Sequence, residues 1–252
     1  MRHLEREIER LKRKILGLGA LVEDNLRLAF QAIEARDADK GHRVMVTDIL
    51  IDDQEVEVEE ECLKILALYQ PVASDLRFLV AVIKINSELE RIGDLASNIG
   101  ERAISLAQEH PVPVPGGFAV MAELTGNILE KALDALVRQD AVTARCVLAS
   151  DDEIDELYRS LIEDLKGIIR ADPEHLDAIV LLFSVARYLE RLADHATNIA
   201  EDVLYMVEGE IHRHEMPAPP APPAPLASPA APASPAAPAE MTELFRWDDR
   251  EK

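Results

Sequence analysis

Between Ile8 and Ile33 apolar residues return every three or four positions, through Leu11, Ile15, Leu18, Val22 and Ala29, with polar Asn25 in the same register. That period is one face of an α-helix, so the stretch predicts a single long helix. Turn-forming residues from Asp37 to Gly41 end it, and a second helix is expected to about Tyr69. "QPVASDLR" at 70–77 then supplies a proline turn, with Ser74 or Asp75 as the expected cap of a third helix and Arg77 expected to pair with a nearby acid. The third helix follows the seam Val82, Ile85, Leu89, Ile92, Ala96, Ile99, Ala103 and Leu106 to about His110, where "PVPVPGG" marks the strongest internal boundary.

After that boundary the pattern restarts. "AFQAIEARD" at 29–37 resembles "ALDALVRQD" at 132–140, an offset of 103, while "ERIGDLASNIGE" at 90–101 reappears as "ERLADHATNIAE" at 190–201, an offset of 100. The three lost residues fall most simply at the inter-helix turn, where "ADPEHLD" replaces "YQPVASDLR". The counterpart seam is Leu182, Val185, Leu189, Leu192, Ala196, Ile199, Val203 and Met206. The expected fold is therefore all-α: two tandem, internally duplicated three-helix bundles over residues 1–110 and 117–209. Residues 210–252 are set apart, because 216–239 holds ten of the fifteen prolines and too little apolar bulk to form a core. That segment is expected to be a disordered Pro/Ala-rich linker ending in an acidic-aromatic terminus with the only tryptophan, Trp247.

Composition supports the class: 48% of residues are hydrophobic but only 4% are aromatic, a mixture suited to aliphatic helix seams. The formal net charge is -21, and the first 209 residues carry -18 of it, since 210–252 holds seven acids and four bases. Such a body repels a phosphate backbone, which argues against nucleic acid and for cations or basic protein surfaces. Cys62 and Cys146 lie far apart with no metal-type spacing and read as free core thiols of a reducing compartment. The charged start "MRHLEREIERLKRK" offers no secretory segment, and the longest apolar run, 178–186, is too short to span a bilayer. No membrane insertion and a cytoplasmic location are expected.

Acidic residues lie beside the seam of each repeat. Glu90, Asp94, Asn98 and Glu101 recur at helical spacing on the flank of the third helix, and Glu190, Asp194, Asn198 and Glu201 repeat them. The preceding helices add Asp48 and Asp52 in "DILID", and Asp151 and Asp155 in "DDEID". In an antiparallel hairpin centred on Pro71, Asp52 falls opposite Glu90 and Asp48 opposite Asp94; the second set is centred between Asp172 and Pro173. Carboxylate and amide oxygens crowded in this way suit hard cations such as Mg, Mn, Ca or oxidised iron. His195, next to Asp194, is a possible added ligand. The competing reading is a solvated acidic face neutralised by Lys84, Arg91, Arg102, Arg187 and Arg191.

"QPVASDLR", "ELERIGDLASNI" at 88–99, "DDEID" at 151–155 and "YLERLADHATNI" at 188–199 together resemble the PhoU family of bacterial phosphate-uptake accessory proteins, over about residues 3–209. The resemblance implies two three-helix bundles with multinuclear metal clusters of iron, zinc or another divalent cation. It places Asp48, Asp52, Glu90 and Asp94 at the first site, and Asp151, Asp155, Glu190 and Asp194 at the second. It further implies a regulator, not an enzyme, that links the ATPase of a phosphate ABC transporter to a phosphate-sensing membrane histidine kinase and restrains uptake and starvation signalling. A homodimer at the inner face of the membrane, held there by protein partners, is expected. The second motif departs from the family pattern, reading "ERLADH" where the first reads "ERIGD". A ferritin-like metal oxidase or storage protein is the rival reading, but it needs Glu-x-x-His motifs, and none of the seven histidines has a glutamate three residues before it.

Overall fold

The seams identified above become the buried faces of helices. The computed structural model describes residues 2–210, so the Pro/Ala-rich linker, the acidic-aromatic terminus and Trp247 lie outside the described residues. The first repeat comprises α1 (Arg2–Ala35), α2 (Ala38–Tyr69) and α3 (Ala73–Gln108). The second comprises α4 (Gly117–Arg138), α5 (Ala141–Leu148), α6 (Asp151–Ala171) and α7 (Leu176–Glu208), with a short 3-10 turn at Pro173–His175. Every residue of the α3 seam, its α7 counterpart and the α1 register, including Asn25, is buried. Asn25 meets the cost of burial in part by donating Nδ2 to the Val44 carbonyl at 3.2 Å.

The duplication extends to the turns. Arg36 and Gln139, related by the offset of 103, both have φ of 51°, a left-handed conformation that ends α1 and α4. Each is followed by an aspartate cap: Asp37 accepts from the Lys40 amide at 3.0 Å, and Asp140 from the Val142 amide at 2.9 Å. The Arg36 guanidinium also closes the far end of α3, donating to the carbonyls of Leu106, Glu109 and His110. At the second hairpin turn Asp172 caps Pro173–His175 through the Glu174 amide.

The second repeat departs from a simple three-helix unit. α5 and α6 together occupy the place of α2, separated by Ala149 and Ser150. Asp151, Asp152 and Glu153 form the first turn of α6. Three carboxylates are favoured at the positive end of a helix dipole and disfavoured within a helix, which is a physical reason for starting a new helix there. The cap expected at Ser74 or Asp75 also differs, because α3 starts after Val72 without a side-chain cap. Arg77 lies at the carbonyl end of α7, where a Cβ added to Gly209 would sit 3.5 Å from its Cζ, and its Nε is buried without a hydrogen-bond partner.

Both repeats fall within one compact unit, and α3 packs along α7. Lys84 pairs with buried Asp202 at 2.9 Å, and Glu88 meets Asn198, so the two helices run antiparallel. Lys84 also lies over the Tyr205 ring, 4.8 Å from its centroid. No helix among the described residues is long and apolar enough to cross a membrane.

The two cysteines prove unequal: Cys62 is buried, whereas Cys146, expected in the core, is exposed. Burial, then the charges of Glu61 and Glu59, push the Cys62 thiol up to about 12. Maleimide labelling of the native protein at neutral pH should therefore modify Cys146 alone, and both cysteines in denaturant. Two labels per native chain would contradict this placement.

Candidate functional site

Each hairpin brings its four predicted carboxylates into one electrostatic neighbourhood. In the first repeat, burial raises Asp48 above the usual aspartate range, the neighbouring Ser97 hydroxyl opposes the shift, and the charges of Asp52 and Asp94 add to it. Glu90 is raised by burial and then by Asp94, with Asp52 and Glu55 contributing and Arg91 opposing. In the second repeat Asp151 is raised by burial, Asp194 and Asp155. Asp194 is raised by burial, Glu190 and Asp155, against His195 and Arg191. These couplings follow the antiparallel registers about Pro71 and Pro173. All four shifts have one meaning: the fold holds each charged carboxylate at a cost.

Nearby cations relieve little of that cost. Arg91 is largely exposed and approaches Glu90 and Asp94 only at 3.6 and 3.5 Å. Arg102 turns to Glu101 and Lys84 to Asp202, so neither serves the clusters. Asn198 donates to Glu88 of the first repeat at 3.2 Å, and His195 Nδ1 lies 2.7 Å from the same carboxylate. His195 thus joins the inter-repeat contact while its charge still bears on Asp194. The neighbours that raise the four cluster carboxylates include neither Glu101 nor Glu201, and Asn98 is half-buried on the same flank.

Two features of the first cluster escaped the sequence pattern. Glu55, raised by burial, Glu59 and Asp52, stands beside the predicted set and accepts Asn86 Nδ2 at 2.9 Å. Ser97 is the second. The corresponding residues of the other repeat are Tyr158, Ala186 and Thr197, and the Thr197 hydroxyl bonds the Asp194 carbonyl at 2.8 Å. The "ERIGD" and "ERLAD" difference is also structural. A Cβ on Gly93 would meet Ile51 Cγ2 at 3.0 Å and Asp48 Oδ1 at 3.1 Å, whereas Ala193 is buried with its methyl accommodated. The first site is therefore tighter and richer in oxygen donors than the second.

The residues suit a hard cation by three tests. Among the described residues, Asp48 Oδ1 and Glu190 Oε2 are buried without a hydrogen-bond partner. The absent side chain at Gly93 lets Asp48 Oδ1 come within 3.1 Å of where a Cβ would stand, so this oxygen lies against α3. The donors are carboxylates on two helices of one hairpin, the oxygen chemistry such ions prefer. Among the described residues, no three Asp, Glu, His or Cys side chains stand in a ready-made ligand arrangement. Asp52 and Asp194 are exposed and free to change rotamer.

Comparison with known proteins bears on the same segments. The PhoU domain model matches twice, over residues 15–103 and 118–203. The phosphate-specific transport system accessory protein PhoU homolog of Aquifex aeolicus is 37% identical over 212 residues, covering 84% of this chain and 96% of that protein. The corresponding homolog of Pseudomonas aeruginosa is 36% identical, covering 82% and 86%. The crystal structure of PhoU from Pseudomonas aeruginosa superposes with a TM-score of 0.77 at 34% identity, covering 82% of this chain and 99% of that one. With both repeats matched and the same helical fold shared, the chain belongs to the PhoU family.

Proposed function

We propose that this chain is a metal-binding regulatory adaptor of phosphate transport. The observation that carries the metal half is the duplicated cluster of half-buried and exposed carboxylates whose charged forms the fold disfavours. Asp48, Asp52, Glu90 and Asp94 would hold cations at one site, and Asp151, Asp155, Glu190 and Asp194 at the other. Bound iron, zinc or another divalent ion would add positive charge to each cluster, tying α2 to α3 and α6 to α7. The relatives named as accessory proteins of a phosphate-specific transport system support the regulatory half. On this reading the chain acts at the cytoplasmic face, contacting the transporter ATPase and a sensor histidine kinase, and restrains uptake and starvation signalling when phosphate is plentiful. It carries out no catalysis of its own.

Deleting the gene in its native host and measuring a phosphate-starvation reporter tests the regulatory half. In high phosphate the deletion should express the reporter at starvation levels, and the wild-type chain supplied in trans should restore repression. Unchanged repression in the deletion strain would overturn the adaptor reading.

A further inference from the structure

The outward side of α2 carries large apolar residues that the described residues leave largely exposed. Ile49, Val56 and Leu63 are 61%, 50% and 55% exposed, and with Met45 they fall on a stripe whose remaining positions are Asp52 and Glu59. The spacing along 45, 49, 52, 56, 59 and 63 alternates four and three, the seam of a helix that meets another helix. The second repeat provides an internal comparison. At the offset of 103 the positions of Ile49, Val56 and Leu63 are held by Asp152, Arg159 and Lys166. The same architecture therefore tolerates charge on this face, and the apolar stripe of α2 is not required by packing.

Charge identifies what covers it. From Asp48 to Glu61 the helix has eight acids and no base, and Asp52, Asp53, Glu59 and Glu60 are exposed around the stripe. A second copy docking through the same face would set these acids against one another. The chain's own terminus at 240–252, outside the described residues, has five acids and three bases and matches no better. We infer that the outward face of α2 docks a basic amphipathic helix of a protein partner, its apolar seam on Ile49, Val56 and Leu63 and its Lys or Arg side chains against Asp53, Glu59 and Glu60. The biological sense of this surface rests on the adaptor reading above, and it gives that partner a chemistry. It does not depend on metal.

The test uses the full-length chain and a fluorescein-labelled model helix of about three heptads, with Leu at the seam positions and Lys or Arg flanking them. Fluorescence anisotropy should show saturable binding that weakens at least about tenfold in I49D/V56R/L63K, a change of about 1.4 kcal/mol. Circular dichroism should show the variant folded, since all three positions face solvent. The reciprocal variant D152I/R159V/K166L should take up a second copy of the helix. Equal binding of the triple variant, or of a peptide with the same charges and a scrambled seam, would overturn the proposal. So would sedimentation showing a dimer that the triple variant abolishes, because the occupant would then be a second copy. A deletion strain with normal repression alongside the expected anisotropy would remove the adaptor reading and leave the surface standing.

Discussion

Replacing Glu90 and Asp94 together, as E90Q/D94N, is expected to remove about half of the metal that the full-length wild-type protein retains, because two of the four charged donors at one of two sites are lost. Elemental analysis after loading with a ferric or divalent cation and desalting reads this directly. The thermal consequences have opposite signs with and without the ion. Metal binding only to the folded chain at about one hundred times its dissociation constant stabilises by about 2.7 kcal/mol per site. For a domain of this size that raises the melting temperature by about 5–10 °C. The double variant should lose one site's share of that rise. Without metal it should melt no lower than wild type and slightly higher, because Glu90 is raised by burial and by Asp94, and its charge is unfavourable in the fold. A wild-type protein that holds no metal, or a variant that holds as much, would sink the site assignment.

Much of this was legible from periodicity. The α3 and α7 seams could be read residue by residue because burial on a helix face repeats every three or four positions, and the structure buries every one of them. The pairing of Asp48 with Asp94, and of Asp52 with Glu90, was legible because an antiparallel hairpin has equal arms about its turn. The illegible features depend on contacts that spacing does not encode. Glu55 enters the first cluster beside Asn86, which depends on side-chain placement across α2 and α3. His195 turns to Glu88 because α7 packs along α3 in a register set by the whole inter-repeat interface. The break at Ala149 and Ser150 reflects a local contest between helix continuation and three acids that favour a helix start. Exposed Cys146 follows from the same stretch: in the short α5, Ala144 and Val147 face the core.

Substituting Gly41 by alanine should be the most damaging small change in the first repeat. Gly41, in the first turns of α2, faces Gly100 of α3 at a close approach of the two helices. A Cβ at Gly41 would lie 2.6 Å from the Gly100 carbonyl oxygen and 2.7 Å from Ile104 Cγ1, and one at Gly100 would lie 3.0 Å from the Gly41 carbonyl oxygen. The first of these obstacles is backbone, so relief requires the helices to separate. Overpacking of this kind costs about 3 kcal/mol, or about 6–12 °C of melting temperature at this chain length. Gly17 and Gly126 supply the contrast: both lie inside helices with nothing within 4 Å of an added Cβ, so alanine there should stabilise by about 0.5–1 kcal/mol. Thermal melts of the three single variants should thus move in opposite directions. The close approach also lies two helical turns from Asp48 and sets the α2–α3 separation across which Asp48 faces Asp94. Moving the helices apart should weaken metal retention at the first site while leaving the second, built on α6 and α7, at its wild-type occupancy. A Gly41→Ala protein as stable as wild type would show that the helices do not depend on this contact, and equal loss of metal from both sites would show that the clusters are not independently framed.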